Sequence, residues 1–511
     1  MEQLTGLDSA FLYLETPRSP MHIGAIAIYD PSTAPGGFVR FKDILRFIES
    51  RLHLAKSFRR KIQNVPLSLD YPYWVDDPEF DLEFHVRHIA LPEPGDWRQL
   101  CIQTARLHSR PMDLTKPLWE FTVVEGLDNI PGLPKGSYAI VSKVHHAAID
   151  GVSGVDIMHA VHTLNPDDPP PAPDAAFKME KPLSTLEMLG RAQWNTLTTP
   201  YRLAKTVTET LPGLARLASG VTRGNIRASL AAVPRTRFNG TLTPHRVVDG
   251  RAFSLADVKD IRASAQGATV NDVIVAVCGG AMRRYLDIKN ELPAEPMIAM
   301  APISVRSANE KGALGNLVSA MTIPIGTHLA DPMQRLAFVH GEAENSKALT
   351  NAVGARQLSD YSKFTPSMLT GLAARLYVSL GIANRIAPFF NTVITNVPGP
   401  QFPIYSNGAR LVTQFGLGPI FDGMGLIHPI FSYDGRITIS FTSDRQMMPD
   451  PAIYADCIAE SFAELHAAAV PKPQRKRASK KAKEEAGEAE TKPKRKRRPV
   501  NGNGRAEPLL V

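Results

Sequence analysis

The sequence KVHHAAIDGVSG, Lys143–Gly154, contains two adjacent histidines, and the segments before and after them predict different types of secondary structure. The preceding segment SYAIVSKV, Ser137–Val144, is rich in Ile, Val and Tyr and predicts a strand. After the histidines, apolar residues recur every three positions, which predicts a helix that begins near Asp150. The recurring positions are Val152, Val155, Met158 and Val161. We therefore predict that the histidines lie at a strand-to-helix turn.

Residues at this turn can carry acid–base chemistry, because imidazole titrates near neutral pH. Side chains of adjacent strand residues point to opposite faces, so we expect one ring of the pair His145 and His146 to point inward and the other to face a cleft. Asp150 can return across the turn to hold a ring, cap the helix or pair with an arginine. Gly151 leaves room for the close approach of another group.

Two other interpretations of these residues remain open on spacing alone. Both histidines can be hydrogen-bonded core residues. Alternatively, His145, His146 and Asp150 can bind a metal ion, although adjacent strand side chains point apart and the sequence supplies no further Cys or His cluster. The full pattern HHxxxDG, together with its context, favours a catalytic role.

This pattern resembles the signature of the CoA-dependent acyltransferase superfamily, and further motifs make the chain similar to the bacterial wax ester synthase/acyl-CoA:diacylglycerol acyltransferase family. HHxxxDG alone indicates only the superfamily, whereas the ordered combination is specific. The further motifs are LTGLDSAFLYLETP (Leu4–Pro17), PLWE (Pro117–Glu120), TVNDVIVAV (Thr269–Val277), PISVR (Pro302–Arg306), GNLVSAM (Gly315–Met321), TNVPGP (Thr395–Pro400) and SYDG (Ser432–Gly435).

The resemblance implies an α/β chain with the two-domain, chloramphenicol acetyltransferase-like fold, in which helices flank mixed sheets and an active-site tunnel runs between the domains. It implies transfer of a long-chain acyl group from acyl-CoA, a co-substrate and not a bound cofactor, to diacylglycerol or a long-chain alcohol. His146 is the expected general base, with His145 beside it.

The resemblance also implies that Asn271 donates a hydrogen bond to the oxyanion and that Asp272 has a structural role beside it. We expect Gly151, Asp272 and Arg306 at the substrate site. An arginine after an apolar strand often has a buried partner, so Arg306 is our candidate partner for Asp150.

Length and composition predict how the chain is divided. At 511 residues, with 43% apolar residues, the chain is too long for one ordinary core. The proline-rich stretch Asn165–Ala175 predicts a linker. We expect an N-terminal domain at 1–183, a helical connector at 184–235, a C-terminal domain at 236–470 and a tail at 471–511.

Local patterns predict further elements, and their alternation indicates an α/β class. The predicted strands are Met21–Asp30, Leu82–Ile89 and Phe121–Glu125, and the predicted helices are Phe41–Leu52, Trp97–His108 and Val270–Leu286. Phe431–Asp444 predicts a hairpin that turns at Asp434–Gly435. The NVPGP segment is predicted as a loop, because two prolines and a glycine disfavour regular structure. Trp119 is predicted as a core anchor more readily than as a substrate contact.

The charge is concentrated at the end of the chain. Residues 471–511 hold 14 Lys and Arg against 5 Asp and Glu, a net charge of +9, which leaves 44 against 45, or −1, for residues 1–470. We expect this tail to be disordered and to bind anionic lipid, to contact nucleic acid nonspecifically or to stay solvated. Without aromatic residues in the tail or a nucleic-acid-binding fold elsewhere, we infer no specific nucleic-acid partner.

Other features of the sequence predict where in the cell the protein is found. The apolar side of Thr185–Ala232 is expected either to rest on lipid or to pack between the domains. Neither a signal peptide nor a spanning helix is predicted. The three cysteines Cys101, Cys278 and Cys457 are far apart, which fits a reducing compartment. We therefore expect a cytoplasmic protein that associates peripherally with membranes or lipid droplets.

Two rival functions share some of these features. A carrier-protein-dependent condensation or polyketide-type acyltransferase also carries HHxxxDG, but lacks the TVND, GNLVSAM and NVPGP combination. An inactive relative that coats lipid would use only the connector and the tail. The intact set of His146, Asp150 and Asn271 favours an enzyme over this second rival.

Overall fold

A computed structural model describes residues 2–149, 153–172, 179–180, 182–198, 233–304, 318–353, 381 and 385–470. Its strands are β1 (Glu2–Gln3), β2 (His22–Asp30), β3 (Arg60–Gln63), β4 (Tyr73–Asp76), β5 (Val86–Ala90), β6 (Trp119–Glu125), β7 (Tyr138–His145), β8 (Arg246–Ser254), β9 (Ile298–Ser304), β10 (Val318–Pro324), β11 (Thr392–Pro398), β12 (Tyr405–Ser406), β13 (Ala409–Leu417), β14 (Leu426–Tyr433) and β15 (Arg436–Asp444). Its helices are α1 (Gly6–Leu14), α2 (Phe41–Glu49), α3 (Leu82–His85), α4 (Trp97–His108), α5 (Ser153–Val161), α6 (185–198), α7 (Leu255–Ser264), α8 (Val270–Ile288), α9 (Pro332–Val353) and α10 (Pro451–Ala469).

The first large sheet combines strands from both ends of the chain, in the order β12-β13-β2-β7-β6-β5. β5 and β6 pair in parallel, and the other neighbours pair antiparallel. β13 pairs with β2 from Arg410 opposite Asp30 to Leu417 opposite Gly24. Backbone hydrogen bonds therefore join the segment 405–417 to the N-terminal half, although our predicted C-terminal domain 236–470 contains that segment.

The second large sheet, in the order β10-β9-β11-β14-β15-β8, packs against α7, α8, α9 and α10. α8 forms the centre of this half, because its residues from Asp272 to Met282 are all buried. The side chains of Val277, Ile325, Ile439 and Tyr454 belong to one apolar core with it. This burial fixes the position of the first turn of α8, which carries Asn271 and Asp272.

The two large sheets contact each other directly. Ser440 Oγ donates to the Gly416 carbonyl oxygen at 2.8 Å, and Thr438 Oγ1 donates to that of Gln414 at 2.7 Å. A Cβ atom added at Gly416 would lie 2.6 Å from Pro429 Cβ, so only glycine allows this approach. The two halves are thus held together by a close-packed, hydrogen-bonded contact.

Many of the predicted elements are confirmed. α4 has the predicted bounds, and β2, β6, β7, α2 and α8 differ from prediction by a few residues at their ends. The hairpin of β14 and β15 turns at Asp434 and Gly435, which have φ angles of 43° and 77°, as a type I′ turn requires. Trp119 is buried, and its Nε1–H donates to the Phe58 carbonyl oxygen at 3.0 Å. It is therefore a core residue.

Two predicted elements were wrong. Leu82–Ile89 is not one strand: Asp81 caps the short helix α3, and β5 starts only at Val86, where pairing with β6 begins. The NVPGP segment is not a loop throughout, since β11 continues to Pro398 and pairs in parallel with β14. Among the described residues β11 pairs with β9 only at Thr392 and Val393, so within the described part of the chain Pro398 pairs on one edge alone, where a strand tolerates the missing N–H.

Other predictions concern residues outside the described ranges. The predicted helices at Thr185–Ala232 are confirmed only for α6, because 199–232 are not described. The tail 471–511 also lies outside these ranges, as do Gly315–Leu317 of the GNLVSAM motif. No helix among the described residues is long and apolar enough to span a membrane.

Candidate active site

Backbone hydrogen bonds to both neighbouring strands fix the turn that ends β7, His145–Ala148, which we call the HH turn. The His145 N–H donates to the Leu118 carbonyl oxygen at 3.0 Å, on the β6 side. The His146 N–H donates to the carbonyl oxygen of Met21, just before β2, at 2.8 Å. These two hydrogen bonds, one on each side of β7, therefore fix the backbone of both histidines.

His145 points inward and is fully buried. Its Nδ1 accepts from the Ala147 N–H at 3.1 Å, and its Nε2 lies 2.9 Å from Glu15 Oε2. Because Nδ1 accepts a hydrogen bond, the ring is neutral with its proton on Nε2, which donates to Glu15. His145 is thus a hydrogen-bonded core histidine, and its contacts indicate a structural role within the HH turn.

His146 has a different environment. Its ring stacks on the Phe11 ring, with centroids 3.8 Å apart and planes inclined by 16°. Within the described residues, its buried Nδ1 has no hydrogen-bond partner. Burial lowers the pKa of His146 to about 4. The ring is therefore neutral at physiological pH, which is the state that can accept a proton.

Beneath the HH turn, Glu15 is buried beside two histidines. Glu15 Oε1 lies 3.5 Å from the Nε2 of His22, a fully buried residue that pairs with His145 across β2 and β7. Burial alone would raise the pKa of the Glu15 carboxyl, but the hydrogen bond from His145 and the nearby ring of His22 outweigh burial and lower the pKa to about 2. Glu15 is therefore a buried carboxylate.

Asn271 and Asp272 lie in the first turn of α8. The Asp272 carboxylate accepts from the Thr269 N–H at 2.8 Å and contacts His340 Nδ1 at 3.0 Å, and Thr269 Oγ1 accepts from the Asp272 N–H in return. This capping box gives Asp272 a structural role. Asn271 is half-buried, and among the described residues its side chain has no hydrogen bond, including none to either histidine of the HH turn.

Three of the predicted site residues, Asp150, Gly151 and Arg306, lie outside the described ranges. The proposed pairing of Asp150 with Arg306 therefore stays a prediction. α5 begins, as described, at Ser153. Within the described ranges, no three His, Cys, Asp or Glu side chains are grouped so as to hold a metal ion.

Phe11, Glu15 and His22 are site neighbours that the sequence analysis missed. Phe11 and Glu15 belong to the LTGLDSAFLYLETP motif, which carried the family resemblance but received no role. Their spacing of four residues places both side chains on one side of α1. That spacing, with a carboxylate directly after an apolar helix, was the available signal.

Several buried histidines predict that the protein is sensitive to acid. Burial lowers the pKa of His108 to about 3, that of His162 to about 4 and that of His428 to about 3. These rings stay neutral in the folded state, whereas in the unfolded chain they bind protons below pH 6.5. The free energy of unfolding should therefore fall as pH decreases from 6.5 toward 4, by up to about 1 kcal/mol per histidine per pH unit.

Urea unfolding at pH 7.5, 6.5, 5.5 and 4.5 measures this effect. Glu15 acts in the same direction only below its ordinary pKa of 4.5, so the loss above pH 5 reports the histidines. An unfolding free energy that is constant between pH 6.5 and 5 would contradict the prediction.

Comparisons with known proteins bear on what this site does. Residues 4–274 match the model of the wax ester synthase/diacylglycerol acyltransferase catalytic domain, and residues 314–466 match that of the WS/DGAT C-terminal domain. A Mycobacterium tuberculosis protein named as a diacylglycerol O-acyltransferase is 33% identical over 467 residues, which cover 91% of this chain and 90% of that protein. The M. tuberculosis diacylglycerol O-acyltransferase tgs2 is 31% identical over 460 residues and matches 88% of this chain and 95% of its own.

Solved structures agree with these sequence matches. The wax ester synthase/diacylglycerol acyltransferase from Marinobacter aquaeolei VT8 matches with a TM-score of 0.64 at 25% identity, over 92% of this chain and 100% of that one. The first condensation domain of the calcium-dependent antibiotic synthetase matches with a TM-score of 0.53 at 14% identity, over 92% of this chain and 96% of that one, which shows a shared fold. The predicted two-domain α/β fold is thereby confirmed. This chain is an acyltransferase and belongs to the wax ester synthase/diacylglycerol acyltransferase family.

Proposed function

We propose that the chain transfers a long-chain acyl group from acyl-CoA to the hydroxyl of diacylglycerol or of a long-chain alcohol, forming triacylglycerol or a wax ester. The names of its relatives support these substrates. The observation that carries the proposal is His146, a neutral and partly unpaired imidazole on the HH turn beside Phe11.

In the proposed mechanism, His146 accepts the proton of the acceptor hydroxyl while that oxygen attacks the thioester carbonyl. The tetrahedral intermediate carries its negative charge on the former carbonyl oxygen, and Asn271 donates a hydrogen bond to that oxygen. The C–S bond then breaks, and protonated His146 returns its proton to the CoA thiolate. No covalent enzyme intermediate is needed. The predicted tunnel between the two halves would bring both substrates to this turn.

An acyl-transfer assay tests the proposal. Purified protein is supplied with radiolabelled palmitoyl-CoA and either a diacylglycerol or hexadecanol, and the lipids are separated by thin-layer chromatography. We expect labelled triacylglycerol or wax ester, formed in amounts equal to the CoA released. Product formation that requires an acyl carrier protein instead of free acyl-CoA would favour the condensation-type alternative, and no acyl transfer with either donor would favour the inactive one.

We further propose that the protein associates peripherally with lipid surfaces, and an exposed apolar patch near the start of the connector supports this. Leu186, Trp194 and Leu197 of α6 are 82%, 66% and 66% exposed, and their spacing places them on one side of the helix. The opposite side of α6 buries Met188 and Ala192, which pack with Tyr73 of β4 and with Val65. Exposed Leu and Trp side chains of this kind bind the interfacial region of a bilayer.

Deleting residues 471–511 is expected to weaken binding to anionic vesicles, because these residues carry a net charge of +9 and the remainder −1. The lost part should be the salt-sensitive part, since exposed charges act over about 8 Å at physiological ionic strength. Co-sedimentation of full-length and truncated protein with vesicles at low and high salt measures it.

The matched variant Trp194→Ser, in the full-length chain, should instead remove binding that persists at high salt. Turnover with a soluble acceptor should survive both changes. Equal binding of full-length and truncated protein at low salt would show that the tail does not contribute to lipid binding.

A further inference from the structure

The helix α1 places two side chains against the HH turn. Thr5 caps this helix by accepting from the Asp8 N–H at 3.1 Å, and Glu15 follows its last residue. Phe11 stacks on the ring of His146, and Glu15 accepts from the ring of His145. One short helix therefore contacts both histidines, and the proposed mechanism gives it no task.

The location of the Glu15 carboxylate is costly unless its charge is compensated. Its side chain is only 9% exposed, and burying an ionised carboxylate without hydrogen bonds is strongly unfavourable. His145 supplies one donor at 2.9 Å, and His22 lies at 3.5 Å from the other oxygen. Within the described residues, neither ring nitrogen of His22 has a hydrogen-bond partner. His145 is therefore the main hydrogen-bond donor to Glu15.

The hydrogen bonds run in one direction, from the HH turn to α1. The Ala147 N–H donates to His145 Nδ1, and His145 Nε2–H donates to Glu15. As long as the Glu15 carboxylate accepts a hydrogen bond from His145 Nε2–H, the ring keeps its proton on Nε2. Nδ1 then stays unprotonated and can accept from the Ala147 N–H. Without that acceptor the ring can adopt the other tautomer, which loses the contact with Ala147. Ala147 directly follows His146, so its backbone position sets that of the proposed base.

We propose that Glu15 is a positioning residue for acyl transfer, which fixes the tautomer of His145 and thereby the backbone that carries His146. The inference rests on the proposed role of His146 as the base. It assigns a task to the first motif of the chain, which neither the family match nor the proposed mechanism explains. Glu15 itself touches neither substrate nor reacting atoms in this role.

Two substitutions separate a hydrogen-bonding role from a purely spatial one. Glu15→Met has similar length but no acceptor, and it should lower kcat about 10- to 100-fold, as small displacements of reacting groups do, with little change in the KM for palmitoyl-CoA. Glu15→Gln keeps a neutral acceptor for His145, and should retain kcat within about threefold of the parent. A kcat of Glu15→Met equal to that of the parent would overturn the proposal.

A double-mutant cycle tests whether Glu15 acts through His145. In the His145→Ala background the acceptor has no donor to orient, so adding Glu15→Met should not lower kcat further. A loss that is as large in this background as in the parent would overturn the proposal, because Glu15 would then act by another route. The cycle remains informative if Glu15→Met is less stable, since both arms are compared at a temperature where circular dichroism shows folded protein.

Asp8→Asn provides the matched control, because it removes another buried carboxylate from the same helix. It should lower the melting temperature and leave kcat unchanged, whereas a kcat loss equal to that of Glu15→Met would overturn the proposal in favour of a general effect of α1. The His146→Ala variant distinguishes a failure of the proposed base from a failure of the proposed role of Glu15. Full activity in His146→Ala contradicts the proposed base, whereas an inactive His146→Ala together with a fully active Glu15→Met contradicts only the role of Glu15.

Discussion

Replacing His146 with alanine is expected to lower kcat by about two to four orders of magnitude, the usual contribution of a positioned general base. The expected loss falls on kcat because the ring acts on the hydroxyl proton in the transition state and not on the bound acyl chain. The fold should persist, since the backbone of the HH turn is held by Leu118 and Met21 and not by this side chain. Initial rates at saturating palmitoyl-CoA and acceptor measure the effect.

His159→Ala is the matched control for this substitution. His159 is an exposed histidine of α5, the helix that follows the HH turn, and its removal should leave kcat unchanged. A second measurement uses pH. Because burial lowers the pKa of His146 to about 4, the parental kcat should not decline until the pH is well below 6.5. Near-parental kcat in a folded His146→Ala protein would rule out His146 as the base.

Local sequence predicted the elements whose signals are local. α4 starts at the Asp96 capping box and ends where its apolar periodicity ends, and the predicted bounds were confirmed. The hairpin at Asp434–Gly435 follows from the steric demands of a two-residue turn. The strand before the histidines could also be found from local sequence, because it is rich in Ile, Val and Tyr, and in β7 every residue except Ser142 is buried.

Pairing across long sequence distances was not predictable in this way. β13 joins the N-terminal sheet beside β2, nearly 400 residues earlier in the chain, and no local pattern identifies that partner. The continuation of β11 through Pro398 depends on which of its edges is paired, which is also a tertiary property. The domain boundaries drawn from composition could not anticipate a shared sheet.

The candidate site was predictable only where its residues are contiguous. His145 and His146 belong to one motif, and the predicted strand before them placed both histidines at its end. Glu15 lies 130 positions before His145, and the sequence analysis assigned no role to its carboxylate. Its burial beside two histidines becomes visible only when α1 is packed against the sheet.

The second substitution for which we expect a large loss of kcat is Asn271→Ala. Removal of an oxyanion donor typically lowers kcat by a factor of about 100 to 1,000, and we expect a loss in this range with little change in the KM for palmitoyl-CoA. Within the described residues the Asn271 side chain has no hydrogen bond to lose, and alanine has the higher helix propensity, so the melting temperature should stay constant or rise.

Two further variants make the test of Asn271 specific. Asn271→Asp has nearly the same shape but places a carboxylate where the mechanism needs a donor, so it should lower kcat at least as much as alanine does. Asn271→Ser keeps a shorter donor and should retain more activity than either. If Asn271→Ala has a melting temperature equal to or above that of the parent and a low kcat, Asn271 serves the reaction and does not stabilise the fold. If Asn271→Ala turned over at the parental rate with saturating substrates, the oxyanion would have to be stabilised by other groups, such as the N–H groups at the start of α8.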